Sequence, residues 1–298
     1  MAREHDYRGR FAPSPTGPLH FGSLVTALAS YLEARHHNGS WLVRIEDIDP
    51  LRDSPLASEQ ILASLDAHQL HSDEPVRYQS DRLDAYAATV NELLATGLAY
   101  RCICSRKELR GTNGYHPNHC RSRPQTAAGH AIRFVLQDAH THWQDDLHGP
   151  QQQRIRAEAD DPVIVRKEGF VAYKLAVIVD DIDQRISHIV RGSDLLTTTA
   201  QQLQMYHALK APPPRWLHVP VITDRSGQKL SKQNHAPALD DTQPARNLLL
   251  ALTFLGQQPP ASLRGASART VLEWASQHWQ RTDMPRHSPV CNPTAAVL

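Results

Sequence analysis

The sequence predicts an α/β protein built on a parallel sheet, and three observations carry that reading. The first fifty residues run strand, loop, helix, strand. A second strand-rich stretch, 131–192, leads to a last strand at Trp216–Ile222. Between the two, residues 102–130 lose all apolar period to Cys, His, Asn, Gly, Arg and Pro, as an insertion would.

The elements follow in order. Residues 8–12 form a short strand, and Pro13-Ser14-Pro15-Thr16-Gly17-Pro18 forbids regular structure after it. Leu24, Leu28, Tyr31 and Leu32 share one face of a helix from Gly22 to Arg35, which Asn38-Gly39 ends. In the strand Trp41–Asp47, Trp41, Val43 and Ile45 point one way and Leu42, Arg44 and Glu46 the other. Such a βαβ unit implies parallel pairing. Ser54-Pro55 caps a helix carrying Ile61, Leu62 and Leu65. Another helix starts near Asp81, keeps period through Leu83, Tyr86, Val90, Leu93 and Leu94, and stops at Gly97, before a strand at Leu98–Cys102.

Beyond the insertion, strands are expected at Ile132–Leu136, Val163–Val165, Phe170–Tyr173 and Ala176–Val179, with Glu168-Gly169 as a hairpin turn. A helix at 195–210, Pro212-Pro213-Pro214, the strand Trp216–Ile222 and short helices at 244–256 and 268–280 complete the chain. The organisation is therefore 1–101 and 131–235 as two halves of one catalytic domain, 102–130 as an insertion, and 236–298 as a short helical C-terminal region.

Of the 298 residues, 32 are Lys or Arg and 31 Asp or Glu, a net charge of +1 that excludes a histone-like basic coat and an acidic tail. Three of the four cysteines, Cys102, Cys104 and Cys120, cluster, while Cys291 stands apart. That is no disulfide framework; it reads as a reduced compartment with a metal site. The charged N-terminus is no signal peptide, and no apolar run reaches the roughly 18 residues of a membrane span. A soluble, cytoplasmic protein is expected.

Two short motifs carry chemistry. His20-Phe21-Gly22 lies where the first helix begins, so free N–H groups and the helix dipole favour an anion there. Gly22 lets a ring or phosphate approach the backbone, and His20 is placed to donate to phosphate oxygens. Lys229-Leu230-Ser231-Lys232 offers two ammonium groups to a leaving pyrophosphate. Alone, the first is more often a stiff turn with a surface histidine, the second a solvated pair. At opposite ends of a parallel α/β chain they are far more specific.

Together they resemble the class I aminoacyl-tRNA synthetases, whose signatures follow the first and last strands of a Rossmann-like catalytic domain. Arg10-Phe11-Ala12-Pro13-Ser14-Pro15-Thr16-Gly17, Arg44-Ile45-Glu46-Asp47-Ile48-Asp49, Gly97-Leu98-Ala99-Tyr100, Val179-Asp180-Asp181 and His188-Ile189-Val190-Arg191-Gly192-Ser193-Asp194 are similar to strings of the glutamyl subgroup. Ser23 departs from the second histidine of the first signature, and Gln233-Asn234 from the end of the lysine loop. Only about 60 residues follow that loop, too few for an anticodon-reading domain of ordinary size. With the cysteine cluster, this resembles truncated members of the subgroup that activate glutamate without tRNA and attach it to the queuosine base in the anticodon loop of tRNA(Asp).

The resemblance implies ATP as substrate, with Mg, and His20, Lys229 and Lys232 as catalytic groups. ATP would bind on His20, Gly22, Lys229 and Lys232. It implies a glutamate pocket of Arg10, Ala12, Ser14, Glu46, Tyr173 and Arg191, where guanidinium groups take carboxylates and Glu46 the ammonium. It implies one zinc on Cys102, Cys104 and Cys120 with a tyrosine, for which Tyr115 is the candidate. Tyr115 stands five residues before Cys120 where the family has four, however, and His116 occupies that spacing, so His116 and His119 remain rivals. The basic run Arg101, Arg106, Lys107, Arg110, Arg121 and Arg123 is expected to face tRNA. A monomer is expected. The alternatives are a minimal glutamyl-tRNA synthetase that charges the tRNA 3′ end, and a non-catalytic zinc-bearing RNA-binding module.

Overall fold

The computed structural model of the chain describes residues 7–123, 130–222 and 237–287. Lys229, Lys232 and Cys291 lie outside the described residues. The predicted βαβ unit is present: β1 (Arg8–Phe11), α1 (Phe21–His36) and β2 (Ser40–Ile45), with β1 and β2 parallel. After Ser54, α2 (Pro55–Ala67) begins with its proline in the first turn. A two-residue strand, β3 (Arg77–Tyr78), extends the parallel ladder from β2. A 3-10 turn, Gln79–Arg82, then leads into α3 (Leu83–Ala95). Gly97 takes φ +73 just past the helix end, the left-handed stop for which glycine suits.

The strands β4 (Ala99–Cys102), β5 (Ala131–Phe134) and β8 (Val163–Val165) form a small antiparallel sheet, and α4 (Arg106–Gly111) lies in the insertion. An antiparallel hairpin joins β6 (Ala139–Asp145) to β7 (Gly149–Ile155). Next come α5 (Tyr173–Asp183), β9 (His188–Gly192), α6 (Thr199–Ala208) and β10 (Arg215–Val219). The C-terminal helices are α7 (Pro244–Phe254) and α8 (Ala268–His278).

β9 pairs with β10, and β10 with β6, all parallel. The Ser187 amide donates to Arg8 O at 3.0 Å, which sets β9 beside β1 on the side away from β2. The parallel order is thus β3-β2-β1-β9-β10-β6. The order reverses direction between β1 and β9, and a crevice opens beyond the strands' carboxyl ends at such a switch point.

Helices cover both faces. Trp41, Val43 and Ile45 enter one core with α1, α7 and α8, whereas Leu42 enters the other with α3, α5 and α6. The two-residue alternation read from the sequence therefore holds. The C-terminal helices are part of the first core: Leu248, Leu252, Val271, Leu272 and Trp279 pack with Leu24, Leu28 and Leu32 of α1. Buried Glu33 of α1 accepts from Trp279 Nε1 at 2.7 Å and from Arg281 Nε at 3.0 Å.

Two expectations are corrected. Ala176–Val179 is not a strand but the middle of α5, and of Phe170–Tyr173 only Val171 makes a bridge, to Val165. Leu175 to Ile178 are all buried, so the apolar run shows no period, and β-branched content favoured the wrong reading. The polar β6–β7 hairpin was not anticipated: His, Thr and Gln alternate along it, half-buried at best, with no apolar face to betray it. The Glu168-Gly169 turn is present, with Gly169 at φ +93. Among the described residues no helix is long and apolar enough to cross a membrane.

Candidate active site and metal centre

A cavity of about 550 Å³ fills the crevice between the ends of β1 and β9. The proline-stiffened turn after β1 supplies Ala12 and Ser14, and the start of α1 supplies His20, Gly22 and Ser23. Arg10 and Arg191 come from β1 and β9, and Tyr173 from the first turn of α5. Every residue expected to bind glutamate, apart from Glu46, lines this cavity. His20 is the N-cap of α1, its ring accepting from the Ser23 amide at 3.3 Å.

The expected lysine loop, Lys229-Leu230-Ser231-Lys232, lies outside the described residues, but residues on either side of it do not. Ile222 lines the cavity on one side of it. On the other, Ala238 bridges His20, and the Leu239 amide donates to Leu19 O at 2.8 Å. Ile222 and Ala238, on either side of the lysines in sequence, both lie at the site.

The two arginines differ in their partners. Arg10 donates to both carboxylate oxygens of Asp181, at 3.1 and 3.4 Å. Asp181 also accepts from Arg44 at 2.8 Å, and although burial favours its protonated form, Arg10 and Arg44 hold it below the usual carboxylate range. Arg191 is equally buried, yet its contacts are neutral: His218 Nε2 at 2.9 Å, Gln202 Oε1 at 2.6 Å, Thr199 Oγ1 at 2.9 Å and Leu195 O at 3.4 Å. Among the described residues no carboxylate forms an ion pair with it. Burial lowers its pKa, the mark of a desolvated cation short of counter-charge. Its surroundings favour an anion in the cavity.

Glu46 lies behind the cavity wall, 4 % exposed, with Arg44 Nη2 at 3.4 Å. Burial pushes its carboxyl up to about 7, against the pull of Arg44 and Arg10. Sequence reasoning missed Thr199, Gln202, His218 and Asp145. The one signal for them was a histidine in the middle of the apolar strand Trp216–Ile222.

The second centre is the insertion. Cys102 ends β4, Cys104 follows, and a turn after α4 brings back His116 and Cys120. The four ligand atoms lie within 4.8 Å of one another; Cys104 and Cys120 Sγ are 3.5 Å apart, and Cys102 Sγ is 3.3 Å from His116 Nδ1. A zinc tetrahedron with bonds of about 2.0–2.3 Å has edges near 3.5–3.8 Å, so the donor set fits zinc. Burial pushes the Cys120 thiol up to about 12, so a cation is needed to make it a thiolate. His116 Nε2 faces Tyr100 OH at 3.4 Å, and Tyr100 donates to Asp161 at 2.8 Å, an outer shell that orients the ring. The fourth donor of the cluster is thus His116. Tyr115 is 49 % exposed and His119 is exposed also, so neither sits among the clustered donor atoms. The physical reason is the turn's spacing, which buries the residue four before Cys120 and turns its neighbour out.

A Rossmann-like parallel sheet with a cation-lined cavity at its switch point and a thiol-rich insertion is the arrangement expected of a class I synthetase. The family profile described as tRNA synthetases class I (E and Q), catalytic domain, matches residues 6–256, and the chain belongs to that family. It is 47 % identical over 280 residues to a protein of Pseudomonas aeruginosa (strain LESB58) named glutamyl-Q tRNA(Asp) synthetase, spanning 94 % of this chain and 96 % of that one. The protein of that name from Vibrio vulnificus (strain YJ016) is 44 % identical over 279 residues, 94 % and 91 % of the two chains. Among solved structures, the glutamate-tRNA synthetase of Elizabethkingia anophelis superposes with a TM-score of 0.78 over 98 % of this chain and 69 % of that one, at 24 % identity, which supports the fold.

Proposed function

We infer that the protein activates glutamate with ATP, without tRNA, and transfers it to the queuosine base in the anticodon loop of tRNA(Asp). The observation that carries the first half is Arg191, a buried guanidinium in the cavity whose described partners are all neutral. The second half is supported by relatives that bear this activity in their names and match over nearly their whole length.

In this reading one glutamate carboxylate lies on Arg191, with Arg10 and Tyr173 beside it, and Glu46 balances the ammonium. The α-carboxylate oxygen attacks the α-phosphorus of ATP, the bond to the β-phosphate oxygen breaks, and glutamyl-adenylate and pyrophosphate result. His20 and the N–H groups at the start of α1 face the phosphates, while Lys229 and Lys232 neutralise the departing pyrophosphate. A hydroxyl of the queuosine cyclopentene diol then attacks the acyl carbon, giving an ester and AMP. Mg accompanies ATP. Cys102, Cys104, His116 and Cys120 would hold zinc, which would brace the insertion that carries Arg101, Arg106, Lys107, Arg110, Arg121 and Arg123 against tRNA. The protein would act as a monomer in the cytoplasm.

The test is to charge tRNA(Asp) that carries queuosine but lacks its 3′ adenosine. Glutamate should attach, and glutamate-dependent ATP–pyrophosphate exchange should proceed with tRNA omitted. Attachment only when the 3′ adenosine is present would favour ordinary 3′-end charging. Absence of exchange under every condition would favour a non-catalytic RNA binder.

A further inference from the structure

Behind Arg191 stands a buried pair that no part of the reaction above uses. His218 of β10 and Asp145 at the end of β6 are both fully buried, and His218 Nδ1 lies 2.6 Å from Asp145 Oδ2. The other carboxylate oxygen, Oδ1, accepts from the Leu147 and His148 amides at 3.0 and 2.9 Å. On the far side of the ring, Arg191 Nε donates to His218 Nε2 at 2.9 Å. Arginine has only donors, so Nε2 must be the unprotonated nitrogen and Nδ1 must carry the proton. An ionised Asp145 enforces that tautomer, because it can only accept.

We propose that Asp145 and His218 are positioning residues that fix Arg191 for a substrate carboxylate while leaving its positive charge unneutralised. The contrast with Arg10 supports this. Arg10 is held by a carboxylate, Asp181, which orients it but cancels its charge. Arg191 is oriented by a neutral imidazole, so the orienting carboxylate stands one ring further from the guanidinium. The substrate carboxylate then meets a fixed guanidinium with one Nη1–H still free among the described residues and its positive charge uncancelled. Burial lowers the His218 pKa, in keeping with a neutral ring.

The proposal rests on glutamate as the ligand of this cavity, and calorimetric titration of L-glutamate into the unsubstituted protein tests that reading first. In Asp145→Asn, the remaining oxygen can keep the two backbone bonds while the amide N–H₂ faces Nδ1. That places the proton on Nε2, against Arg191. Glutamate affinity should fall about ten-fold or more, while thermal stability and ATP affinity change little. His218→Phe should lose a similar factor. His218→Gln, whose amide can accept from Arg191 and donate to Asp145, should recover most of it. In pyrophosphate exchange the loss should appear in glutamate KM rather than kcat. Glutamate affinity unchanged in folded Asp145→Asn, or equal loss in His218→Gln and His218→Phe, overturns the proposal. No glutamate binding by the unsubstituted protein overturns the reading of the cavity itself.

Discussion

Replacing Glu46 with Gln should make the protein more stable and less able to bind glutamate. Burial raises the Glu46 carboxyl from its ordinary 4.5 to about 7, even with Arg44 and Arg10 nearby. The folded protein therefore holds a proton more tightly than the unfolded chain. Its contribution to stability is complete below about pH 4.5 and is lost as pH rises through about 7, where the folded group ionises. The gap between the two values amounts to about 3 kcal/mol. Glutamine mimics the protonated carboxyl, so Glu46→Gln should exceed the unsubstituted protein by up to about 3 kcal/mol at pH 8, roughly 5 °C in Tm for a chain of this size. The advantage should shrink through pH 7 and vanish near pH 4.5. Removing the proposed partner of the substrate ammonium should meanwhile weaken glutamate binding by about ten-fold or more. Thermal melts from pH 4.5 to 8 and calorimetry with L-glutamate measure both. A variant that is no more stable at pH 8, or whose stability difference does not depend on pH, would refute the view of Glu46 as a carboxylate held ionised at a cost.

Two further outcomes are expected. Lys232→Ala should lower the rate of pyrophosphate exchange about 100-fold or more with a smaller change in glutamate KM, because the lost charge acts on the transition state; an unchanged rate would remove the loop from catalysis. Metal analysis should find one zinc per chain, absent from Cys104→Ser and His116→Ala but retained in Tyr115→Phe, and limited proteolysis of the zinc-free forms should cut the insertion before the sheet; zinc retained in His116→Ala and lost in Tyr115→Phe would restore tyrosine as the ligand.

The parallel sheet was legible because its strands and helices carry opposite periods. Trp41, Val43 and Ile45 alternate with Leu42, and α1 repeats its leucines every fourth residue, so one face of each element announces itself. The helix α5 did not, because both its faces are buried and even Asp180 and Asp181 face inward, each satisfied by arginine or tyrosine from distant segments. Most of the proposed glutamate pocket is legible through short strings that resemble a family. Asp145 and His218 are not: they come from strands 73 residues apart, and nothing local in either segment records that they meet. The proposed fourth metal ligand turns on a single step of spacing: His116 is buried beside the cysteines and Tyr115 is exposed.

The closure of α1 by the C-terminal helices bears on how the chain is made. Glu33 and the leucines of α1 meet Trp279 and Arg281 some 246 to 248 positions later. At about 5–20 residues per second, on the order of ten to fifty seconds pass between synthesis of the two. Throughout that interval the nascent chain displays an apolar helical face and an acidic group with no permanent cover. A polypeptide interrupted before α7 would keep that face open, and one interrupted before residue 279 would leave Glu33 without Trp279 and Arg281. The helix that opens the cavity is therefore finished last, when the end of the chain folds back onto it.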